Sequence, residues 1–231
     1  MTLVPGDRLG GRYLVQRALG GGGMGSVFLA LELPTGATRV LKQLRVDRPE
    51  LVEAFRSEFA LLSSITDPHL MRVHDFGTSH VRGESISYYV AEWIDGQTFS
   101  TFAKEASLSN LTSALLDAVS GLSALHAIGV RHGDFTPGNV LVDRRGRGTL
   151  IDLGCARPFS HRSSSIAGTP GYFAPELLSE GGGDARADLF SVGITLRRAL
   201  EIAGQTPSAS LAHWIERLTA AAPGHRPESA M

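Results

Sequence analysis

Asp134 and Asn139 stand five residues apart in "HGDFTPGNVLV", on a turn stiffened by Pro137 and loosened by Gly138. An acid and an amide so placed can aim oxygens at a phosphate and its metal, although a polar hairpin turn would read the same way. Other residues weigh on the choice. Gly20, Gly22, Gly25 and Val27 fit G-x-G-x-x-G-x-V. These glycines lie between two strand-like segments, whereas a dinucleotide fingerprint opens a helix. A glycine turn between strands lets backbone N–H groups approach a triphosphate. Lys42 ends the apolar run "RVLK" and is one of only two lysines, so a phosphate-facing cation competes with a solvated surface lysine. Glu58, on a helix-patterned segment, is its natural carboxylate partner. Asp152 closes the strand-like "LID" shortly before Gly154. Hard Mg²⁺ prefers carboxylate and amide oxygens, which gives Asp152 and Asn139 the part of metal ligands and Asp134 that of base or hydroxyl orienter.

These residues need elements to hold them. "RYLVQRALGGGGMGSVFLALEL" reads as two strands around the glycines, and "TGATRVLKQLRV" as a third. "PELVEAFRSEFALLSSI" carries Leu51, Phe55, Phe59 and Leu62 at helical spacing. "LMRVHDFG" and "SISYYVAEWI" return to strand character. From Leu108 the pattern turns helical, in "LTSALLDAVSGLSALHAIG", "DLFSVGITLRRALEIA" and "SLAHWIERLTAAA". The expectation is an α+β chain of two lobes. Residues 1–94 form an antiparallel sheet with one helix, residues 95–231 are mainly helical, and the cleft between lobes is a common place for a ligand.

The bulk numbers exclude several classes. A formal charge of −1 gives no case for nucleic acid or an anionic membrane surface. The single cysteine, Cys155, excludes an intrachain disulfide and fits a reducing, cytoplasmic setting. No apolar run approaches the ~20 residues of a membrane span, and the N-terminus lacks signal-peptide character.

The order glycine loop, Lys42, Glu58, Asp134, Asn139, Asp152 resembles the catalytic domain of eukaryotic-like Ser/Thr protein kinases of bacteria, from about Arg12 to the C-terminus. The resemblance implies ATP with Mg²⁺ or Mn²⁺, protein substrates, autophosphorylation and a role in signalling. It implies that Lys42 binds phosphates with Glu58 as partner, that Asp134 is the catalytic Asp, acting as base or hydroxyl orienter, and that Asn139 and Asp152 hold metal. Glu92 and Ile94 in "YYVAEWIDG" would bind adenine through their backbones, with Ala91 at the gatekeeper position and Val27, Val40 and Leu141 around the ring. It further implies that Thr169 in "GTPGYFAPE" bonds Asp134, that Glu176 pairs with Arg226, and that Asp188 anchors the catalytic loop.

Three departures bear on activity. Gly133 stands where the family usually has Arg, which removes the cation that reads a phosphorylated loop. Ser163, Ser164 and Ser165 are candidate modification sites, and Arg157 is the first suspect for a substitute cation. Thr136 replaces a lysine that steadies the γ-phosphate. Only ten residues, Glu201 to Ser210, occupy the place of the family's αG region. A pseudokinase scaffold and an aminoglycoside- or choline-type phosphotransferase are the alternatives, and the chain reads as a compact kinase or as part of a longer protein.

Overall fold

The structure, a computed structural model, describes residues 2–22, 25–44, 49–162, 168–179 and 182–230. Ser163, Ser164 and Ser165 lie outside the described residues, and the Leu51 side chain lies outside the described side chains. The chain forms two compact units, one of residues 1–66 with 71–94, the other of 67–70 with 95–231.

In the first unit, β1 (Arg8–Leu9), β2 (Tyr13–Gly22), β3 (Gly25–Glu32), β4 (Ala37–Leu44), β5 (Val73–Val81) and β6 (Glu84–Glu92) build one antiparallel sheet in the order β1-β2-β3-β4-β6-β5, and α1 (Pro49–Ser64) follows β4. Side chains alternate across a strand, so the apolar run "ISYYVA" of β6 supplies both faces. Ile86, Tyr88 and Val90 join Leu9, Tyr13, Val15, Phe28, Ala30 and Leu41 in one buried cluster. Tyr89 faces the other way, stacked on Phe55 of α1 with centroids 5.0 Å apart. Phe59 packs on Phe76 and Tyr89 beside it. Each large apolar side chain so buried contributes roughly 1.5–3 kcal/mol.

The second unit contains β7 (Gly96–Thr98), α2 (Phe99–Phe102), α3 (Leu108–Ala127), β8 (Val130–Arg131), β9 (Val140–Asp143), β10 (Gly148–Leu150), β11 (Arg157–Pro158), α4 (Pro175–Ser179), α5 (Ala185–Ala203) and α6 (Ala209–Leu218). Small sheets β10-β9-β7 and β11-β8 brace the loops between the helices. Ser107 caps α3 by accepting from Asn110 N. The buried stripe Leu111, Ala114, Leu115, Ala118, Leu122 and Leu125 then turns that helix inward. Asp184 caps α5, and Gly204 ends it in the left-handed conformation at φ 60°.

Two sequence expectations shift. The strand read from Leu70 begins at Val73, because residues 67–70 belong to the second unit, where Leu70 bridges to Leu150 and His69 Nδ1 lies 3.0 Å from the Gly148 carbonyl. The last helix stops at Leu218, short of the alanine run. The carbonyls of Ala220 and Ala221 instead accept from the Arg226 guanidinium, at 2.8 and 3.1 Å.

Candidate active site

In the first unit the glycine segment closes the β2–β3 hairpin, with Gly20 opposite Val27 and Gly22 opposite Gly25. Gly25 must lack a side chain, since a Cβ there would strike the Gln43 carbonyl. Strand register then gathers the predicted residues. Val27 on β3 pairs with Lys42 on β4, which pairs with Tyr89 on β6, while Val40 pairs with Ala91. Directly opposed residues share a sheet face, as do residues two apart on one strand. Val27, Val40, Lys42, Tyr89 and Ala91 therefore line one face.

Glu58 comes to Lys42 from α1. Lys42 Nζ donates to Glu58 Oε1 at 2.8 Å, and the Tyr89 hydroxyl donates to the same oxygen at 2.8 Å. Lys42 and Glu58 are both buried. Their charges neutralise one another where water cannot, and removing either partner would strand the other. Tyr89 is a residue that sequence reasoning missed; the strand register that sets it beside Lys42 was the available signal. Glu92 ends β6, its N–H donated to the Arg72 carbonyl at 2.9 Å and its Oε1 accepting from Arg72 N at 2.9 Å. Ile94 is the last residue of this unit.

In the second unit the loop between β8 and β9 carries Asp134 and Asn139. A turn closed by Asn139 N and the Thr136 carbonyl, 3.0 Å, sets their spacing. Asn139 Nδ2 donates to both the carbonyl and Oδ2 of Asp134, each at 2.9 Å. Asp134 Oδ1 accepts from Thr169 N at 2.8 Å, so Thr169 meets Asp134 through its main chain. With the amide nitrogen spent on Asp134, Asn139 keeps its carbonyl oxygen for a cation. The Asn139 main-chain carbonyl accepts from Ile151 N at 2.9 Å, which ties Asp152 to the same loop. Asp152 has φ 64°, a strained conformation for a non-glycine residue, with Oδ1 accepting from Gly154 N at 3.1 Å. Leu141, on β9 between Thr98 and Thr149, is half-buried.

Asp188, in the first turn of α5, holds this loop by its backbone. Oδ2 accepts from His132 N at 2.7 Å and lies 2.9 Å from His126 Nε2; Oδ1 accepts from Gly133 N at 2.8 Å. Burial by itself would push the carboxyl pKa up. The His126 hydrogen bond, the nearby His126 and His132 rings and the Gly133 N–H outweigh it and hold the group below the ordinary carboxylate value. Thr195 Oγ1 adds a bond to the Phe135 carbonyl at 3.2 Å. Gly133 has φ 80°, and a Cβ on it would lie 2.6 Å from the Cys155 carbonyl. This backbone has no place for arginine there. Thr136 is buried. Arg226 spends all five N–H donors, two on Glu176 at 2.6 and 2.9 Å and three on the carbonyls of Ala220, Ala221 and Arg186.

A lysine–glutamate pair on an antiparallel sheet, together with an Asp–Asn loop anchored on a helix aspartate, defines a protein kinase domain. The family model described as protein kinase domain matches residues 13–216, and the chain belongs to that family. Its similarity is to bacterial Ser/Thr kinases. It is 31% identical over 215 residues to the serine/threonine-protein kinase PknA of Mycobacterium tuberculosis, covering 88% of this chain and 49% of that one. It is 32% identical over 207 residues to the serine/threonine-protein kinase pkn2 of Myxococcus xanthus, covering 83% of this chain and 24% of that one. The chain thus spans about half, or less, of the length of these relatives. Among the described residues, no helix is long and apolar enough to cross a membrane.

Proposed function

We propose that the chain transfers the γ-phosphoryl group of ATP to serine and threonine hydroxyls of proteins, its own included. Asp134 accepts the hydroxyl proton; the hydroxyl oxygen bonds to the γ-phosphorus as the bond to the β–γ bridging oxygen breaks, and ADP leaves. Lys42, steadied by Glu58 and Tyr89, binds the α- and β-phosphates, and the backbone at Gly20, Gly22 and Gly25 covers them. Val27, Val40 and Leu141 contact the adenine ring, with hydrogen bonds from the main chain of Glu92 and Ile94. Since the Glu92 N–H is taken by Arg72, its contribution falls to the carbonyl. Asn139 Oδ1 and the Asp152 carboxylate are the hard oxygens that would hold Mg²⁺ or Mn²⁺, which when bound neutralises phosphate charge. Thr136 brings no charge to the γ-phosphate, so turnover is expected to be slower than with a lysine there.

The observation that carries this reading is the Asp134 carboxylate, oriented by Asn139 Nδ2 and Thr169 N–H and aimed by a loop fixed on Asp188. A cytoplasmic site of action agrees with the use of ATP and the lone cysteine, and the longer relatives support further domains in a parent protein. The test is incubation with labelled ATP and Mg²⁺ and three acceptors: the protein itself, a generic basic protein and an aminoglycoside. Label is expected on the first two. Label on the aminoglycoside alone would overturn the acceptor class, and nucleotide binding with no label anywhere would make the chain a scaffold.

A further inference from the structure

The turn between β5 and β6 carries an arginine that its backbone does not favour. Arg82 and Gly83 have φ 50° and 86°, between the paired residues Val81 and Glu84. A two-residue hairpin turn with both φ values positive prefers Asn-Gly or Asp-Gly. Among the described residues the only other non-glycine residue at positive φ is Asp152, in the candidate site. Strain of this kind persists where its surroundings over-determine it, and the contacts of Arg82 show what holds it. Its Nη2 donates to the Thr2 carbonyl and to Asp7 Oδ2, each at 2.9 Å. Asp7 Oδ2 also accepts from Val4 N at 2.8 Å, and Gly6 N donates to the Val15 carbonyl at 2.9 Å. Residues 2–7 are thereby tied both to β2 and to the β5–β6 turn.

What this segment covers gives it a consequence at the site. Leu3 is buried in the cluster that contains Leu41, and its N–H donates to Gln43 Oε1 at 3.1 Å. Leu41 and Gln43 are two apart on β4 and share one face of the sheet, so Lys42 between them turns to the other. Gln43 is itself buried, a polar side chain beside an apolar cluster, and such a group needs its hydrogen bonds met. Its main chain serves the glycine turn: the Gln43 carbonyl is the group that a side chain on Gly25 would strike, and Gln43 pairs with Ser26 as Lys42 pairs with Val27. One residue thus meets the N-terminal segment with its side chain, the base of the glycine turn with its carbonyl, and Lys42 through a peptide bond.

We propose that residues 2–7 form a strap that positions the nucleotide-phosphate site from the back of the sheet. With Leu3 seated and Arg82 closed on Asp7, Gln43 holds the glycine turn and Lys42 in register; with the strap released, both loosen and nucleotide binds less tightly. Leu3, Asp7, Gln43 and Arg82 are positioning residues, each acting through Lys42 or the glycine turn. The Arg82 side chain is 46% exposed, so its clamp can be removed without opening the buried cluster. The proposal rests on the reading that Lys42 and the glycine turn bind the phosphates of ATP.

The experiment titrates ADP with Mg²⁺ into the wild-type, Leu3→Ala, Leu3→Met, Arg82→Asn and Lys42→Met chains by calorimetry, and measures kcat and KM for ATP and amide hydrogen exchange beside it. Arg82→Asn carries the decision, because asparagine suits the left-handed turn and thermal unfolding should stay near that of wild type. Leu3→Ala and Arg82→Asn are expected to weaken ADP binding and raise KM for ATP by roughly three- to tenfold, with kcat within about twofold of wild type. Amides of residues 41–44 should exchange faster in both. Leu3→Met conserves volume and should restore the wild-type values. ADP affinity and exchange at 41–44 unchanged in Arg82→Asn, or Leu3→Ala losing stability alone, would overturn the strap while leaving the nucleotide reading intact. Absence of ADP binding by wild type, or binding undiminished in Lys42→Met, would overturn the nucleotide reading and the strap's role with it.

Discussion

Asp188 and Asp134 are two carboxylates of one unit held in opposite ways. Asp188 is 1% exposed, and its acceptors are filled by two main-chain N–H groups and a buried histidine. Asp134 is half-buried, with one oxygen on the Asn139 side chain and the other on the Thr169 N–H. The first arrangement is closed, so its energy goes into the shape of the loop. The second fixes direction while leaving the carboxylate reachable, which is what a proton acceptor needs. Glu176 with Arg226 follows the closed pattern.

The contrast can be broken most severely at Asp134. Asp134→Asn should lower phosphoryl transfer by about 10²–10⁴, with thermal stability little changed; equal losses of both would erase the distinction. Asp188→Asn should do the reverse. It replaces an acceptor by a donor facing N–H groups and should cost about 1.5–3 kcal/mol for each charged hydrogen bond lost, seen as a lower denaturant midpoint, with a loss of activity in the folded protein smaller than that of Asp134→Asn, since only the aim of the loop is loosened.

The same pair gives a pH signature. The Asp188 pKa is depressed in the folded state. Its contribution is therefore complete above the unfolded value of about 3.9 and lost as pH falls through the folded value. The stability gap between wild type and Asp188→Asn should be flat from neutrality to about pH 4 and then shrink, by up to ~1.4 kcal/mol per pH unit. A gap that stayed constant or widened in acid would contradict the assignment.

How much of this was legible in the sequence depends on what carries each contact. The Lys42–Glu58 pair and the Asp134–Asn139 turn could be anticipated because their side-chain types and spacing are written in the chain. The amphipathic stripes of α1, α3 and α5 were equally plain, since burial follows a helical period. The Tyr89–Glu58 bond was hidden because it needs the register of β4 with β6 and the approach of α1 together. The φ of Gly133 and its closeness to the Cys155 carbonyl are main-chain properties with no compositional trace.

Tyr89 offers the smallest and most diagnostic change. Tyr89→Phe keeps the stack on Phe55 but removes the hydroxyl on Glu58, at a cost of about 1 kcal/mol. Lys42 and Glu58 remain, so kcat and ATP affinity should fall only a few-fold, consistent with a loss near 1 kcal/mol. Thermal stability lost without any change in kcat or KM would make Tyr89 a packing residue only.

The central claim is tested most directly by autophosphorylation in Asp152→Asn, measured as incorporation of label from ATP with Mg²⁺ beside wild type, with folding checked by circular dichroism and thermal unfolding. The account predicts a folded protein whose incorporation is abolished, because a hard carboxylate ligand has become a neutral amide. Incorporation at the wild-type rate by the folded variant would contradict it.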